Sequence, residues 1–379
     1  MEYGCKRTLK FFFYYIKIQY IMKKKIFIYT ILLSFIGLVM IYSSSSIIST
    51  SKYNNPYRYV ILQSSFFLIG LILMILFSKI DYKIYKRYAN HLLFLSLILL
   101  ILVLIPGIGK VRNGSRSWFG LFGLGFQPSE VSKLSLIIFV SKYLSNNDNY
   151  KREKYKFILP IFLVIIFFFL LILLEPDFGT GMVIVMSLIG IIYASGVDVS
   201  IFYKIGFLGI IGIVVLILVA PYRLARILSF LNPWSDPLGS GFQMIQSLYA
   251  IGPGGLLGFG FLNSRQKHFY LPEPQTDFIF SVICEEFGFI GAFTLILLFV
   301  LLYSNMIKSA INKTDLFGKY LIFGLTFLLI FQTLLNLSVV VGLVPITGVT
   351  LPFISYGGSS LVVSMISIGI IINISTNGK

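Results

Sequence analysis

The chain has 379 residues, of which 57% are hydrophobic and 12% charged, and its mean hydropathy is +0.90. Soluble domains carry about 25% charged residues, so this composition excludes a water-soluble globular enzyme, and the unbroken apolar runs disfavour a transmembrane β-barrel. The net charge of +17 would suggest nucleic-acid binding in a soluble protein. In so apolar a chain it indicates a basic cytoplasmic face, and we expect no nucleic-acid partner.

Residues 1–21 precede the string Met22-Lys23-Lys24-Lys25, which has the character of a natural start before an apolar run. We interpret 1–21 as a dispensable N-terminal extension and 22–376 as one integral membrane domain. Residues 26–48 are long enough to span a bilayer and contain no small-residue cleavage site, which disfavours a cleaved signal peptide.

Ten apolar runs predict an all-α polytopic membrane protein with about ten transmembrane helices, each of which needs roughly 20 residues. The runs cover 26–47, 59–78, 91–106, 130–145, 157–174, 181–196, 204–220, 278–303, 319–341 and 353–374. With the N-terminus inside, the cytoplasmic segments hold 21 Lys and Arg residues and the outer segments hold nine. This bias places both termini in the cytoplasm.

The fourth run opens with the polar string 127–133, which contains Glu130 and Lys133. An ionisable residue inside a span costs about 2.5–3.5 kcal/mol on insertion scales, so each one needs a reason. These two residues are three positions apart and lie on one helical face. They form either a self-neutralising pair or part of a substrate site.

Two carboxylates, Glu175 and Asp177, lie at the outer turn between the fifth and sixth runs. They are either ligands of a divalent cation or solvated turn residues, and the second interpretation is the default for a lone turn.

Residues 221–277 form a long outer loop between the seventh and eighth runs. Apolar residues recur in it at helical spacing, at Leu224, Ile227, Leu228 and Leu231 and again at Phe242, Ile245, Leu248 and Tyr249. This pattern predicts two short amphipathic helices in the membrane interface. A structured loop on a membrane bundle is where chemistry is expected.

The loop ends in the string 271–278, where Thr276 or Asp277 would suit the N-cap of the eighth span. Asp277 is also a carboxylate at the membrane surface, close in sequence to Arg265 and Lys267.

Glu285 and Glu286 lie about two turns further along the same span. At about 100° per residue they point to different faces, so at most one shares a cavity with Asp277. The other is expected to be a structural polar residue, with Lys133 as a plausible partner. His91 and His268 are not spaced as metal ligands and the sequence has no Cys/His cluster, so we do not expect a zinc site.

The segment from Pro345 to Ser360 combines glycine, proline and polar residues at membrane depth. Irregular backbone is tolerated there only when it is buried in protein or lines a cavity, and we favour a cavity.

Six strings together resemble the SEDS family of peptidoglycan polymerases (shape, elongation, division and sporulation), which includes FtsW, RodA and SpoVE. The strings are Gly114-Ser115-Arg116-Ser117-Trp118, Gln127-Pro128-Ser129-Glu130 with Lys133, Pro176-Asp177-Phe178-Gly179-Thr180, Asn263-Ser264-Arg265-Gln266-Lys267, Leu271 to Phe280 with Glu285-Glu286, and Pro345 to Ser360. The resemblance covers about 22–376 and favours the FtsW/SpoVE branch. Ser117 departs from it, because the family often has a second basic residue there.

The resemblance implies an inverting lipid II glycosyltransferase at the outer face of the bacterial cytoplasmic membrane, serving septal synthesis in cell division or sporulation. The 4-hydroxyl of one lipid-linked disaccharide attacks the anomeric carbon of a growing strand, and undecaprenyl diphosphate leaves. In the family the general base is the aspartate that corresponds to Asp277. The implied partners are lipid II, the lipid-linked glycan, a class B penicillin-binding protein transpeptidase and divisome membrane proteins.

On this basis we assign substrate contacts to a polar set at the outer ends of the spans. The set is Arg116, Trp118, Glu130, Lys133, Arg265, Lys267, Ser355, Tyr356 and Ser359, whose cations would bind diphosphate. No cofactor is certain, and a divalent cation, Mg or Mn, would use Glu175 or Asp177.

Two alternatives are a lipid II flippase and a non-catalytic scaffold for the transpeptidase. A flippase needs a polar pathway through the whole membrane, whereas the polar residues here concentrate at the outer ends of spans, which favours outer-face chemistry.

Overall fold

The computed structural model describes residues 2–112, 114–121, 124–146, 154–219 and 221–376. Helices dominate the described residues, and a small β-sheet interrupts them after the third helix. The helices are α1 (Glu2–Tyr53), α2 (Arg58–Lys79), α3 (Lys83–Leu104), α4 (Pro128–Asn146), α5 (Lys154–Leu174), α6 (Phe178–Ala194), α7 (Val199–Val219), α8 (Pro221–Leu231), α9 (Phe242–Ile251), α10 (Ile279–Ile311), α11 (Leu316–Val340) and α12 (Gly358–Thr376). The strands are β1 (Lys110–Arg112), β2 (Ser115–Leu121) and β3 (Leu124–Phe126).

Seven helices within the described residues are long and apolar enough to cross a membrane. They are Ile21–Tyr53 of α1, α2, α3, Phe157–Leu174 of α5, α10, α11 and α12. Helix α6 and Val199–Gly212 of α7 are apolar but shorter, and α4 carries buried serines beside its ion pair. Every predicted run overlaps a helix, so the chain is a multi-pass membrane protein. The count of about ten spans stays a prediction, which requires that α4, α6 and α7 also cross the membrane.

The sheet corrects the expectation of an all-α fold. Strand β2 pairs antiparallel with β1, with Trp118 opposite Lys110, and with β3, with Phe119 opposite Phe126. The rings of Phe119 and Phe126 stack at 6.3 Å between centroids. The segment is too short and too rich in glycine to show a strand periodicity, and cross-strand side-chain pairs of this kind stabilise it only once the hairpins have formed.

Helix α12 lies at the centre of the bundle and is buried along almost its whole length. It packs closely on α2, because Gly369 faces the backbone of Met74 and Gly70 faces the side chain of Met365. Small residues let membrane helices approach each other and gain van der Waals contact. This packing fixes the start of α12, where Ser359 lies.

Both helices predicted in the long loop are present, as α8 and α9. The loop then returns to α10 and is held there by an exchange of backbone hydrogen bonds. Helix α10 breaks at Gly288, which has φ 61° and ψ −158°. The N–H groups of Phe259 and Gly260 donate to the carbonyls of Glu285 and Glu286, each at 2.9 Å.

On the other side of the break, the N–H of Phe289 donates to the carbonyl of Gly255 at 2.8 Å, and that of Ile290 donates to Leu256 at 3.2 Å. The segment 255–260 therefore takes over the hydrogen bonds that the helix loses, which is the condition for non-helical backbone at this depth. The exchange fixes the first part of α10 against the loop.

Candidate functional site

The polar strings of the sequence meet at one end of the bundle, which we call the loop end. The side chain of Gln127 donates to Asp177 at 2.8 Å, and its backbone N–H donates to Ser359 at 3.2 Å. The N–H of Tyr356 donates to the carbonyl of Gln275 at 2.8 Å. These contacts join the starts of α4, α6 and α12 to the loop segment before α10.

Asp277 lies immediately before α10 and is partly exposed. The prediction that Thr276 or Asp277 caps the helix is wrong, because the N-cap is Phe278 and no side chain bonds the helix start. The Thr276 hydroxyl instead donates to Asp277 Oδ1 at 2.8 Å. The carboxylate is thus not consumed by helix capping.

Burial raises the pKa of the Asp277 carboxyl above its usual range, and Glu273 adds to the rise. The hydrogen bond from Thr276 and the positive charge of Arg226 act in the opposite direction on this pKa. A carboxyl with a raised pKa suits proton abstraction, because a general base works best when its pKa lies near the operating pH.

Asn336 of α11 ties the backbone of Asp277 to that of Val349, in the segment before α12. Its Nδ2 group donates to the carbonyls of Asp277 and Val349, each at 2.8 Å. The residue is fully buried. In the sequence Asn336 was visible as an amide inside an apolar span, where a polar side chain is costly and usually has a structural or functional partner. Its role in holding Asp277 was not predicted.

The ion pair between Glu130 and Lys133 is present at 2.8 Å, and both side chains are buried. Lys133 Nζ also donates to Gln332 Oε1 at 3.2 Å, and Gln332 Nε2 donates to the carbonyl of Thr350 at 3.0 Å. Lys133 is therefore neutralised on its own helix, and the predicted pairing with a glutamate of α10 is wrong.

Glu286 instead pairs with Lys267, whose Nζ lies 2.8 Å from Glu286 Oε1. The side chain of Glu286 is 0% exposed and that of Lys267 is 2% exposed. Ser43 of α1 completes this site, since its hydroxyl donates to Glu286 Oε1 at 2.5 Å. Lys267 was assigned to diphosphate, but its ammonium group is enclosed in this ion pair. A substrate contact would require breaking a buried pair, which is costly.

Glu285 binds the segment before Lys267. Its carboxylate accepts the Ser264 hydroxyl at 2.5 Å and the Arg265 N–H at 2.7 Å. Neither glutamate of α10 shares a site with Asp277. Both hold the returning loop against α10, which is a structural role.

Two of the assigned cations remain at the surface of the loop end. The Arg265 guanidinium lies 4.7 Å from the centre of the Phe259 ring and is exposed. Arg116 is half-buried and reaches the carbonyl of Leu104 at 3.5 Å. Trp118, next to it on β2, is half-buried. These arginines have donors left for an anion.

The assigned residues of 355–359 connect the start of α12 to its surroundings. The Ser355 hydroxyl accepts the N–H of Leu351 at 2.9 Å. The Tyr356 ring meets Tyr59 edge to face at 5.0 Å. The Ser359 hydroxyl donates to the carbonyl of Gly125 at 3.0 Å. Tyr356 is partly exposed, whereas the two serines are buried.

Glu175 and Asp177 differ in their surroundings. Asp177 caps α6 by accepting the N–H of Thr180 at 3.1 Å. Glu175 is fully buried, so the prediction of a solvated turn residue is wrong for it, and among the described residues neither carboxyl oxygen has a hydrogen-bond partner. Burial, with a smaller contribution from Asp177, raises the pKa of Glu175 to about 9. Within the described ranges no group of three or more His, Cys, Asp and Glu side chains could hold a metal ion.

A cavity of about 420 Å³ opens between α8, α9 and the segments before α10 and α12. Its walls include Arg226, Gln243, Pro272 and Ile346. Arg226 was not assigned a role from the sequence, although its position beside the apolar face of a predicted interfacial helix could have drawn attention to it.

Comparison with known proteins gives consistent matches over most of the chain. The family described as "Cell cycle protein", FtsW/RodA/SpoVE, matches residues 23–379. The chain is 45% identical to Stage V sporulation protein E of Bacillus subtilis, over 92% of this chain and 95% of that protein. It is 42% identical to the probable peptidoglycan glycosyltransferase FtsW of Coxiella burnetii, over 92% and 95%.

Two solved structures are similar. A chain from a study described as "Structural coordination of polymerization and crosslinking by a peptidoglycan synthase complex" has a TM-score of 0.74 and 30% identity, over 92% of this chain and 96% of that one. The rod shape determining protein RodA of Thermus thermophilus has a TM-score of 0.68 and 26% identity, over 92% and 95%.

Proposed function

The chain belongs to the FtsW/RodA/SpoVE family of cell cycle proteins, and on that premise we propose that it is a peptidoglycan glycosyltransferase that polymerises lipid II. The names of its FtsW relatives support the activity. The observation that carries the proposal is Asp277, a partly exposed carboxylate with a raised pKa that caps no helix.

In this reaction the 4-hydroxyl oxygen of the acceptor sugar forms a bond to the anomeric carbon of the growing strand. The bond from that carbon to the diphosphate oxygen breaks, and the linkage changes from α to β. Asp277 takes the proton of the attacking hydroxyl as general base. Undecaprenyl diphosphate leaves with the bonding electrons, and cationic side chains at the loop end stabilise its charge.

We propose that a divalent cation, Mg or Mn, would use Glu175 or Asp177 as a ligand. Two buried carboxyl oxygens without a partner fit such an ion, because buried polar groups normally have one. Such a cation, if bound, would supply positive charge that stabilises a diphosphate.

The proposed location is the bacterial cytoplasmic membrane, with both termini in the cytoplasm and the loop end outside. The proposed partner is a class B penicillin-binding protein, in keeping with the synthase complex among the similar structures, together with divisome membrane proteins. Similarity to both a sporulation protein and FtsW supports septal synthesis in division or sporulation.

The test is polymerisation of lipid II by the purified protein, with and without a class B penicillin-binding protein, beside the Asp277→Asn variant. We expect glycan product from the wild type and a loss of at least about a hundredfold in the variant. Normal polymerisation by Asp277→Asn would refute the base assignment. If the wild type makes no product under either condition but moves lipid II across vesicle membranes, the protein is a flippase. If it neither polymerises nor moves lipid II, the result favours the non-catalytic scaffold.

A further inference from the structure

The cavity between α8, α9 and the segment that contains Pro272 has the size and composition of a ligand site that no assignment so far uses. Its volume of about 420 Å³ lies within the range of small-molecule pockets, about 300–1,000 Å³. Its lining combines apolar side chains, among them Phe230 and Leu238, with the polar side chains of Arg226 and Gln243. The mixture fits a ligand that has both a charged and an apolar part.

The charge of this cavity comes from Arg226. Two of the cations that were assigned to diphosphate from the sequence, Lys133 and Lys267, are enclosed in buried ion pairs with Glu130 and Glu286. Arg226 has no salt bridge among the described residues and is exposed. It therefore offers to the cavity a positive charge that is not held in an ion pair.

The hydrogen-bonding groups of the cavity are only partly used. Arg226 Nη1 donates to the carbonyl of Ile346 at 3.2 Å, which leaves most of the five donors of a guanidinium available. The Gln243 amide makes no side-chain hydrogen bond within the described part of the chain. A planar guanidinium with free donors matches phosphate oxygens in a bidentate arrangement.

The Ile346 contact also fixes where the guanidinium lies. It anchors α8 to the segment before α12, which Asn336 ties to the backbone of Asp277 through Val349. Pro272, which precedes Asp277 by five residues, lines the same cavity as Arg226, and the charge of Arg226 lowers the pKa of the Asp277 carboxyl. A diphosphate bound by Arg226 would thus place its sugar near the general base.

We propose that Arg226 binds the diphosphate of a polyprenyl-linked substrate in this cavity, which Pro272 of the segment before Asp277 also lines, with the apolar wall holding the first part of the lipid. This inference rests on the proposed function and adds to it the residue that binds the charged headgroup.

The first test measures binding and requires no turnover. Undecaprenyl diphosphate and undecaprenol, which lacks the diphosphate, are titrated onto detergent-purified wild type, Arg226→Gln and Arg226→Lys. We expect Arg226→Gln to weaken diphosphate binding at least about tenfold and to leave undecaprenol binding unchanged. Arg226→Lys keeps the positive charge but loses the planar, bidentate guanidinium group. Its affinity for undecaprenyl diphosphate should therefore lie between those of the wild type and Arg226→Gln.

The matched control is Arg87→Gln, which removes an exposed arginine at the start of α3, at the opposite end of the bundle. It should bind both lipids as the wild type does. Unchanged diphosphate binding by Arg226→Gln, or an equal loss for both lipids, would overturn the proposal, the second because it indicates a general structural effect.

The second test uses the pH dependence of polymerisation. The groups that act on Asp277 are Thr276, Glu273 and Arg226, and the charge of Arg226 lowers its pKa. Arg226→Gln should therefore move the acidic limb of the pH–rate profile to higher pH, whereas Arg226→Lys should not. An unshifted limb in Arg226→Gln would contradict the proximity on which the inference depends.

The two proposals fail separately. A wild type that binds undecaprenyl diphosphate through Arg226 but does not polymerise lipid II contradicts the proposed function and supports the binding site. A wild type that polymerises lipid II while Arg226→Gln keeps its affinity and rate contradicts the binding site alone.

Discussion

Two neighbouring regions of the loop end differ in how completely their polar groups are paired or hydrogen-bonded. We define the anchor as 252–267 with Glu285 and Glu286. In it Lys267 and Glu286 form an ion pair, Glu285 accepts hydrogen bonds from the loop, and the helix carbonyls at the break accept backbone N–H groups. In the reactive segment, defined as 271–278 with Arg226, the carboxylate of Asp277 has one side-chain hydrogen bond and remains partly exposed.

The difference indicates how a membrane protein keeps an under-satisfied carboxylate in place. A functional group held at fixed geometry needs supporting residues that are themselves locked by packing and hydrogen bonds. Here the anchor supplies that rigidity at one end of the segment, and Asn336 supplies it at the other. Changes in the anchor should therefore cost folding, and changes in the reactive segment should cost activity.

The largest effect is expected from Gly288→Ala in the anchor. A Cβ at Gly288 would lie 2.5 Å from the backbone nitrogen of Gly258, and its φ of +61° is unfavourable for alanine. We expect little or no folded protein in size-exclusion chromatography. Gly206→Ala on α7 is the matched control, because nothing lies within 4 Å of its added Cβ. If Gly288→Ala were as stable as this control, the close backbone packing of 255–260 against α10 at Gly288 would be refuted.

The next largest effect is expected from breaking either buried ion pair. Lys267→Met leaves Glu286 as a lone buried charge, which costs about 3–5 kcal/mol, and Glu286→Gln in the same chain should recover part of the loss. Equilibrium unfolding in detergent measures the cycle. The same cycle at Glu130 and Lys133 should show that losing either partner destabilises more than losing both. Additive losses would mean that the charges are independent.

Asp277→Asn should show the opposite behaviour in the same unfolding measurement. Because the folded state raises the pKa of Asp277, it binds a proton more tightly than the unfolded chain, so stability falls as pH rises from the unfolded pKa, near 3.8, to the raised one. Above that window the variant should be at least as stable as the wild type. A clear loss of stability of Asp277→Asn at neutral pH would mean that Asp277 has a structural role, like the residues of the anchor.

The smallest effect concerns Glu175 and the proposed cation. Mg or Mn should raise the thermal midpoint of the wild type by a few degrees, because a ligand of the folded state stabilises it. Glu175→Gln should remove this response while the metal-free midpoint stays within a few degrees of the wild type. An equal response in both proteins would exclude Glu175 as a ligand.

Much of the architecture could be predicted from the sequence because it depends on local patterns. Apolar runs and helical spacing predicted the helices, including α8 and α9 of the loop, since hydrophobic periodicity is read over a few turns. The position of Asp277 at the end of the loop was visible for the same reason. The sheet at 110–126 was missed, because its strands are short and depend on cross-strand contacts.

The sequence by itself determined which residues are polar in an apolar chain and in which helix or loop each one lies. Only the tertiary structure decided their partners: Lys267 with Glu286, Ser43 with both, and Arg226 with the carbonyl of Ile346. Ser43 and Glu286, for example, are 243 positions apart. Periodicity records the face of a helix on which a residue lies, whereas a charge pairs with whichever opposite charge the packing of distant helices brings within reach.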